Sequence, residues 1–346
     1  MSFILAQLSH LLKKLKPHIK GQTLISKVVI GSLFSVFCSF AFSAQLTNEQ
    51  KISRDQGMAL YSQSDWYDSQ PLLQVAAEAG DSSAQYYLGE AIRKSKRYTT
   101  AEAKKWYEAA AEQGDLYAML RLSSKDDLCS DMGACTGKSG EEWRKQALTI
   151  ARERAEKGDT QAMTVLFTAR QGIGWLEKAA EAGDSYAQQL LASVYKSGRG
   201  WFLVPGSREK AVEKWLKASA DGGYSRGMFL YANYLYDNNG NISDIAYWIK
   251  KAAEGGHIDS VSTYAENMSE SSNELNHPLD IIAAYGLTLL LSELDGGGTA
   301  HQDAQRSLPT ITKKMTSQEI ELGVVFAKKW KKTHPPLSYF DPIYGY

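Results

Sequence analysis

The sequence predicts an all-α chain, built as a solenoid of helical hairpins with a capping segment at its C-terminal end. Three observations predict it. A five-residue signature recurs: "AEAGD" at 77–81, "AEQGD" at 111–115, "AEKGD" at 155–159 and "AEAGD" at 180–184, with looser copies "ADGGY" at 220–224 and "AEGGH" at 253–257. A large apolar residue stands eight positions before each glycine: Leu72, Trp106, Ile150, Trp175, Trp215 and Trp248. After the glycines, apolar residues return at helical spacing, as at Ala84, Leu88 and Ala91, then at Ala187, Leu191 and Val194.

The N-terminal element is of another kind. Residues 28–42, "VVIGSLFSVFCSFAF", are apolar and uncharged, and Lys13, Lys14, Lys16, Lys20 and Lys27 precede them without an acid. This is the pattern of an export leader. Cleavage after Ser43 or Ala44 gives a periplasmic protein. Retention gives an inner-membrane anchor facing the periplasm, although the run is short for a span of about 20 residues. Beyond residue 44 the chain carries 34 Lys+Arg against 39 Asp+Glu. That balance argues against a nucleic-acid partner, which needs a basic surface. Membrane contact is expected only through an uncleaved leader.

Residues 45–270 read as the repeat region. Gly80, Gly114, Gly158, Gly183, Gly223 and Gly256 each end a second helix, where the chain needs positive φ. Asp81, Asp115, Asp159 and Asp184 follow four of them and are suited to cap the next helix. Trp106, Trp175, Trp215 and Trp248 are expected to fill one equivalent hole in successive units. The glycine spacings of 34, 44, 25, 40 and 33 residues are uneven. The interval from Gly158 to Gly183 looks too short for a full unit, and residues 116–155 read as an irregular insert. Cys129 and Cys135 lie in that insert, and an oxidising compartment predicts a disulfide between them.

Residues 271–346 read as a cap, which a solenoid needs to cover its last stacking face. An apolar helix is expected in "HPLDIIAAYGLTLLLSEL" and a last helix in "TSQEIELGVVFAKKWKKTH", capped at Thr316 or Ser317 with Glu319 in its first turn. The tail "PPLSYFDPIYGY" is expected either to pack back on the array or to offer a binding strip.

The pattern "GDSSAQYYLG…TTAEAKKWYEAAAEQGD" resembles the Sel1-like repeat family, relatives of the tetratricopeptide repeat, over roughly residues 55–270. The resemblance implies a right-handed solenoid that binds proteins. It also implies a candidate partner, since exported Sel1-like proteins of Gram-negative bacteria include immunity proteins against type VI secreted lipases. A cell-envelope adaptor without a toxin partner is the alternative.

Within such a frame the first helix of each hairpin is expected to line the inner face. Its partner-binding positions are read as Gln85, Tyr86 and Glu90, then Gln188 and Gln189, Met228 and Phe229, and Val261 and Ser262. Tyr61, Trp66, Tyr67, Tyr234 and Tyr236 are further candidates for surface or edge positions. No catalytic constellation, cofactor fingerprint or metal-ligand spacing is present in the sequence, and His257, His277, His301 and His334 stand far from any such motif. The chain is expected not to be an enzyme.

Overall fold

The computed structural model describes residues 45–124, 137–269, 274–295 and 298–339. The leader lies outside the described residues, as do Cys129 and Cys135. In chain order the helices are α1 Asn48–Ser62, α2 Trp66–Glu78, α3 Ser82–Lys96, α4 Ala101–Glu112, α5 Leu116–Leu122, α6 Gly140–Glu156, α7 Thr160–Thr168, α8 Ile173–Glu181, α9 Ser185–Lys196, α10 Ser207–Asp221, α11 Ser225–Asp237, α12 Ile242–Glu254, α13 Ile258–Ser269, α14 Ile281–Ser292, α15 Thr299–Thr312 and α16 Ser317–Thr333. As far as α14 each packs chiefly on the helix before it and the helix after it, and α15 and α16 both pack on α14. The described residues contain no strand, only an isolated bridge between His257 and Ser338. This is the all-α solenoid of helical hairpins that the sequence predicts, with a capping segment after the last repeat.

The recurring signature folds identically each time. All six glycines have positive φ, between 83° and 93°. Asp81, Asp115, Asp159 and Asp184 then accept from the backbone N–H three residues on, at 2.7–2.9 Å. His257 takes the same slot at the start of α13, its Nδ1 3.1 Å from the Ser260 hydroxyl. The small residue at the capped position is set by space. A Cβ on Gly227 would collide with Ser219 of the preceding helix.

Two expectations about the repeats need correction. The short interval from Gly158 to Gly183 holds a complete hairpin, α7 and α8, with both helices trimmed to nine residues. The tryptophan is also not the innermost residue of its helix. The next residue is: Leu73, Tyr107, Ala151, Leu176, Leu216 and Ile249 are all buried. Trp106 and Trp215 reach 9 % exposure, while Trp175 and Trp248 are half-buried. Lysines lie over three of these rings, Lys105 over Trp106, Lys178 over Trp175 and Lys214 over Trp215. The ring therefore closes the edge of the core and gives its outer face to a cation. Residues 116–155 supply helices α5 and α6, which pack on one another as the third of six hairpins.

At the C-terminal end α14 is buried on most sides by α13, α15 and α16. It meets α16 closely at paired glycines, where a Cβ on Gly286 would fall 2.8 Å from the Gly323 carbonyl oxygen. Thr316 and Glu319 form a capping box on α16. Beyond it residues 335–339 run back along the array. Ser338 exchanges hydrogen bonds with Gly256 and Ile258, the Tyr339 N–H donates to the Ser62 carbonyl at 3.1 Å, and Gln63 donates to the Leu337 carbonyl at 2.9 Å.

Candidate partner-binding face

A helix turns by about 100° per residue, so the capping position of each first helix fixes which later residues face neighbours and which face solvent. Counting from the cap, the residues three, seven and ten places on are core: Ala187, Leu191 and Val194 in α9 are all buried. The residue four places on points into the same packed arc. In α3 it is Gln85, whose Nε2 donates to the Ala77 carbonyl at 3.0 Å. In α9 it is Gln188, whose Nε2 donates to the Ala180 carbonyl at 3.0 Å. The two glutamines make one bond, eight residues back, in two hairpins. They are framework, not recognition surface.

Most of the expected binding positions are closed for the same reason. Gln85, Tyr86, Glu90, Gln188, Gln189 and Val261 are buried, which corrects the expectation that they face solvent. Met228, Phe229 and Ser262 are half-buried, and the Phe229 ring packs 4.6 Å from the His257 ring. Tyr61 is also buried, whereas Tyr67 and Tyr236 are exposed, as expected, and Trp66 and Tyr234 are half-buried.

The accessible stripe lies two, six and nine places after the cap. It reads Tyr186, Leu190 and Ser193 on α9, Arg226, Leu230 and Asn233 on α11, and Asp259, Thr263 and Glu266 on α13, all half-buried or exposed. Equivalent positions carry an aromatic, a cation and an acid in turn, so chemistry changes along a constant frame. Tyr186 packs edge-on against Tyr224 at 6.1 Å, and burial raises its pKa. The signal for this stripe was present in the sequence: each of its residues directly precedes a core position and so lies about 100° round the helix from it.

In the first of the early hairpins to carry this cap the corresponding arc is partly closed: Ser83 is exposed, but Tyr87 and Glu90 are buried. Glu90, fully buried, accepts the Tyr107 hydroxyl at 2.7 Å and pairs with Arg93 at 2.8 Å and Arg121 at 2.6 Å. Burial pushes the Glu90 carboxyl up, but Arg121 and Arg93 outweigh it and hold it below the ordinary carboxylate range. Lys94 stands nearby over the Tyr61 and Trp66 rings, and burial lowers its pKa. Among the described residues, no group of three His, Cys, Asp or Glu is placed to hold a metal ion, and no helix is long and apolar enough to cross a membrane.

The fold and this open stripe define a helical-repeat protein. No family model matches the sequence, and no curated protein matches it significantly. Solved structures similar to it include a protective antigen of uropathogenic Escherichia coli displaying an SLR fold, at 20 % identity and a TM-score of 0.46, covering 84 % of this chain. This chain spans 62 % of that protein's length. A Sel1 repeat protein from Oxalobacter formigenes aligns at 18 % identity and TM-score 0.35, over 75 % of this chain and 99 % of its own. An immunity protein from Pseudomonas aeruginosa aligns at 15 % identity and TM-score 0.34, over 65 % of this chain and 82 % of its own.

Proposed function

We propose that the protein acts in the periplasm by stoichiometric binding of a protein partner along the stripe from Tyr186 to Glu266, and that the partner is a secreted antibacterial lipase which it occludes. The observation that carries the binding reading is the contrast within α9, α11 and α13: the buried positions repeat, while the open positions differ in size and charge. A rigid frame with a variable open arc is what recognition of one partner needs. Support for the lipase comes from the basic, apolar leader sequence and the Sel1-like repeat pattern. Exposed edges of such a face contribute little, and a few central side chains dominate.

Arg226 and Leu230 sit at the centre of the stripe. The test co-expresses the protein with a periplasm-targeted lipase toxin from the same locus. Wild type is expected to protect growth, and Arg226→Glu/Leu230→Asp to lose protection while keeping its melting temperature. Loss of a central anchor corresponds to about 2 kcal/mol or more, roughly thirtyfold in affinity. Equal protection by both proteins would remove the stripe from the mechanism. Binding of the lipase without loss of its activity would identify an adaptor instead.

A further inference from the structure

We propose that the loop joining α9 to α10 is a docking knob that seats in the surface of an anionic lipid bilayer. It is distinct from the stripe and independent of the protein partner's identity. Trp201, Leu203 and Val204 are 86 %, 80 % and 68 % exposed. One exposed leucine is ordinary, but a contiguous apolar tip marks a docking surface.

The tip is built to stand out from the solenoid. Phe202, between Trp201 and Leu203, turns inward and meets the Tyr195 ring edge-on at 4.9 Å. The Arg208 guanidinium lies 4.7 Å over the Phe202 ring. It also donates to the carbonyls of Tyr195, Arg199 and Gly200. Gly200 has φ of 87°, and a Cβ there would lie 2.8 Å from the Tyr195 ring. Phe202 and Arg208 thus fix the base, and the three apolar side chains project from it.

Charge decides the occupant. Lys196, Arg199, Arg208 and Lys210 flank the tip in sequence, and Glu209 is the lone acid from 196 to 210. Acids outnumber bases beyond residue 44, so this is a local reversal of sign. Aliphatic side chains at the tip, a tryptophan beside them and cations behind suit acyl chains, the interfacial layer and headgroup phosphates in that order. Tyr67, Tyr98 and Tyr236, 65 %, 47 % and 60 % exposed, lie at or beside the same first-to-second-helix turns of other hairpins. Alternating helices bring those turns to one edge of the solenoid, where they extend the aromatic contact.

The test uses the full chain with preformed vesicles, of phosphatidylglycerol and phosphatidylethanolamine or of phosphatidylcholine alone. The first 44 residues contain no tryptophan, so the difference between wild type and Trp201→Phe isolates the emission of the knob. That emission is expected to shift to the blue on anionic vesicles and to be quenched by brominated lipid, and to do so weakly on phosphatidylcholine. Trp201→Ser/Leu203→Ser is expected to lower partitioning to anionic vesicles at least tenfold with an unchanged melting temperature. The leader is common to both proteins and cancels in the comparison. Unquenched Trp201 emission on anionic vesicles, or equal partitioning of wild type and variant, overturns the proposal. Loss of lipase binding by the double variant, with Trp201 unquenched, would make the knob a protein contact.

Discussion

Glu90 shows how a single buried charge can hold two hairpins in register. It sits on α3, its partner Tyr107 is on α4, and Arg121 reaches it from α5. Truncating one member of such a group leaves the others buried and unpaired, which costs about 3–5 kcal/mol. Glu90→Gln is therefore expected to destabilise strongly by chemical denaturation, although it preserves shape. A loss below about 1 kcal/mol would mean that Arg93 and Arg121 find water instead. His257 behaves in the opposite sense. Burial, with a smaller contribution from Arg226, lowers its pKa to about 4. The folded state keeps the ring neutral while the unfolded chain takes up a proton near pH 6.5. Stability is therefore expected to fall as pH drops from about 6.5 towards 4, by roughly 3 kcal/mol at full extent. His257→Asn keeps a capping side chain and should flatten that part of the pH–stability profile. An unchanged slope would assign the acid sensitivity to the carboxylates.

At the scale of the helix, the most legible features were those set by the backbone. The glycines, the capping aspartates and the alternation of small and large core residues each follow from local chemistry, and all reappear in the structure. Register around the helix was harder to read. Gln85 and Gln188 look like surface residues because they are polar, yet each satisfies a carbonyl at the end of the preceding helix. A polar residue that repeats at the same offset is a framework bond, and repetition itself was the available clue. The tryptophans misled in another way, since size drew attention from the smaller residue beside them. Leu176 is fully buried while Trp175 is half-buried. Leu176→Ala is expected to cost about 2–5 kcal/mol, and Trp175→Ala less, because part of its ring is already wet. Thermal denaturation of the two variants orders them. A larger loss for Trp175→Ala would restore the tryptophan as the principal core residue of its hairpin. The loop at Trp201 carried no periodic signal and became visible only through its exposure.

Across the whole molecule, the tail changes what kind of array this is. A solenoid is stabilised mainly between neighbouring units, but residues 335–339 join hairpin one, at Ser62 and Gln63, to the turn that closes hairpin six, at Gly256. Pro335, Pro336 and Ser338 also line a cleft of about 470 Å³ with Asp55 and Met58 of α1 and the turns at Gly223 and Gly255. First and last repeats are thus coupled through a strap, and the array cannot straighten without breaking it. Two glycines separate backbone strain from the strap. Gly223 and Gly256 share positive φ, but a Cβ on Gly223 meets nothing within 4 Å, whereas on Gly256 it would lie 2.6 Å from the Pro336 carbonyl oxygen. Gly223→Ala should cost only the left-handed backbone penalty, about 1–2 kcal/mol. Gly256→Ala should cost that and also lift the strap. Its melting temperature is expected to fall further, and its radius of gyration by small-angle X-ray scattering to rise towards that of a chain ending at His334. Equal melting temperatures and equal radii for the two variants would show that the strap lies on the array without holding it closed.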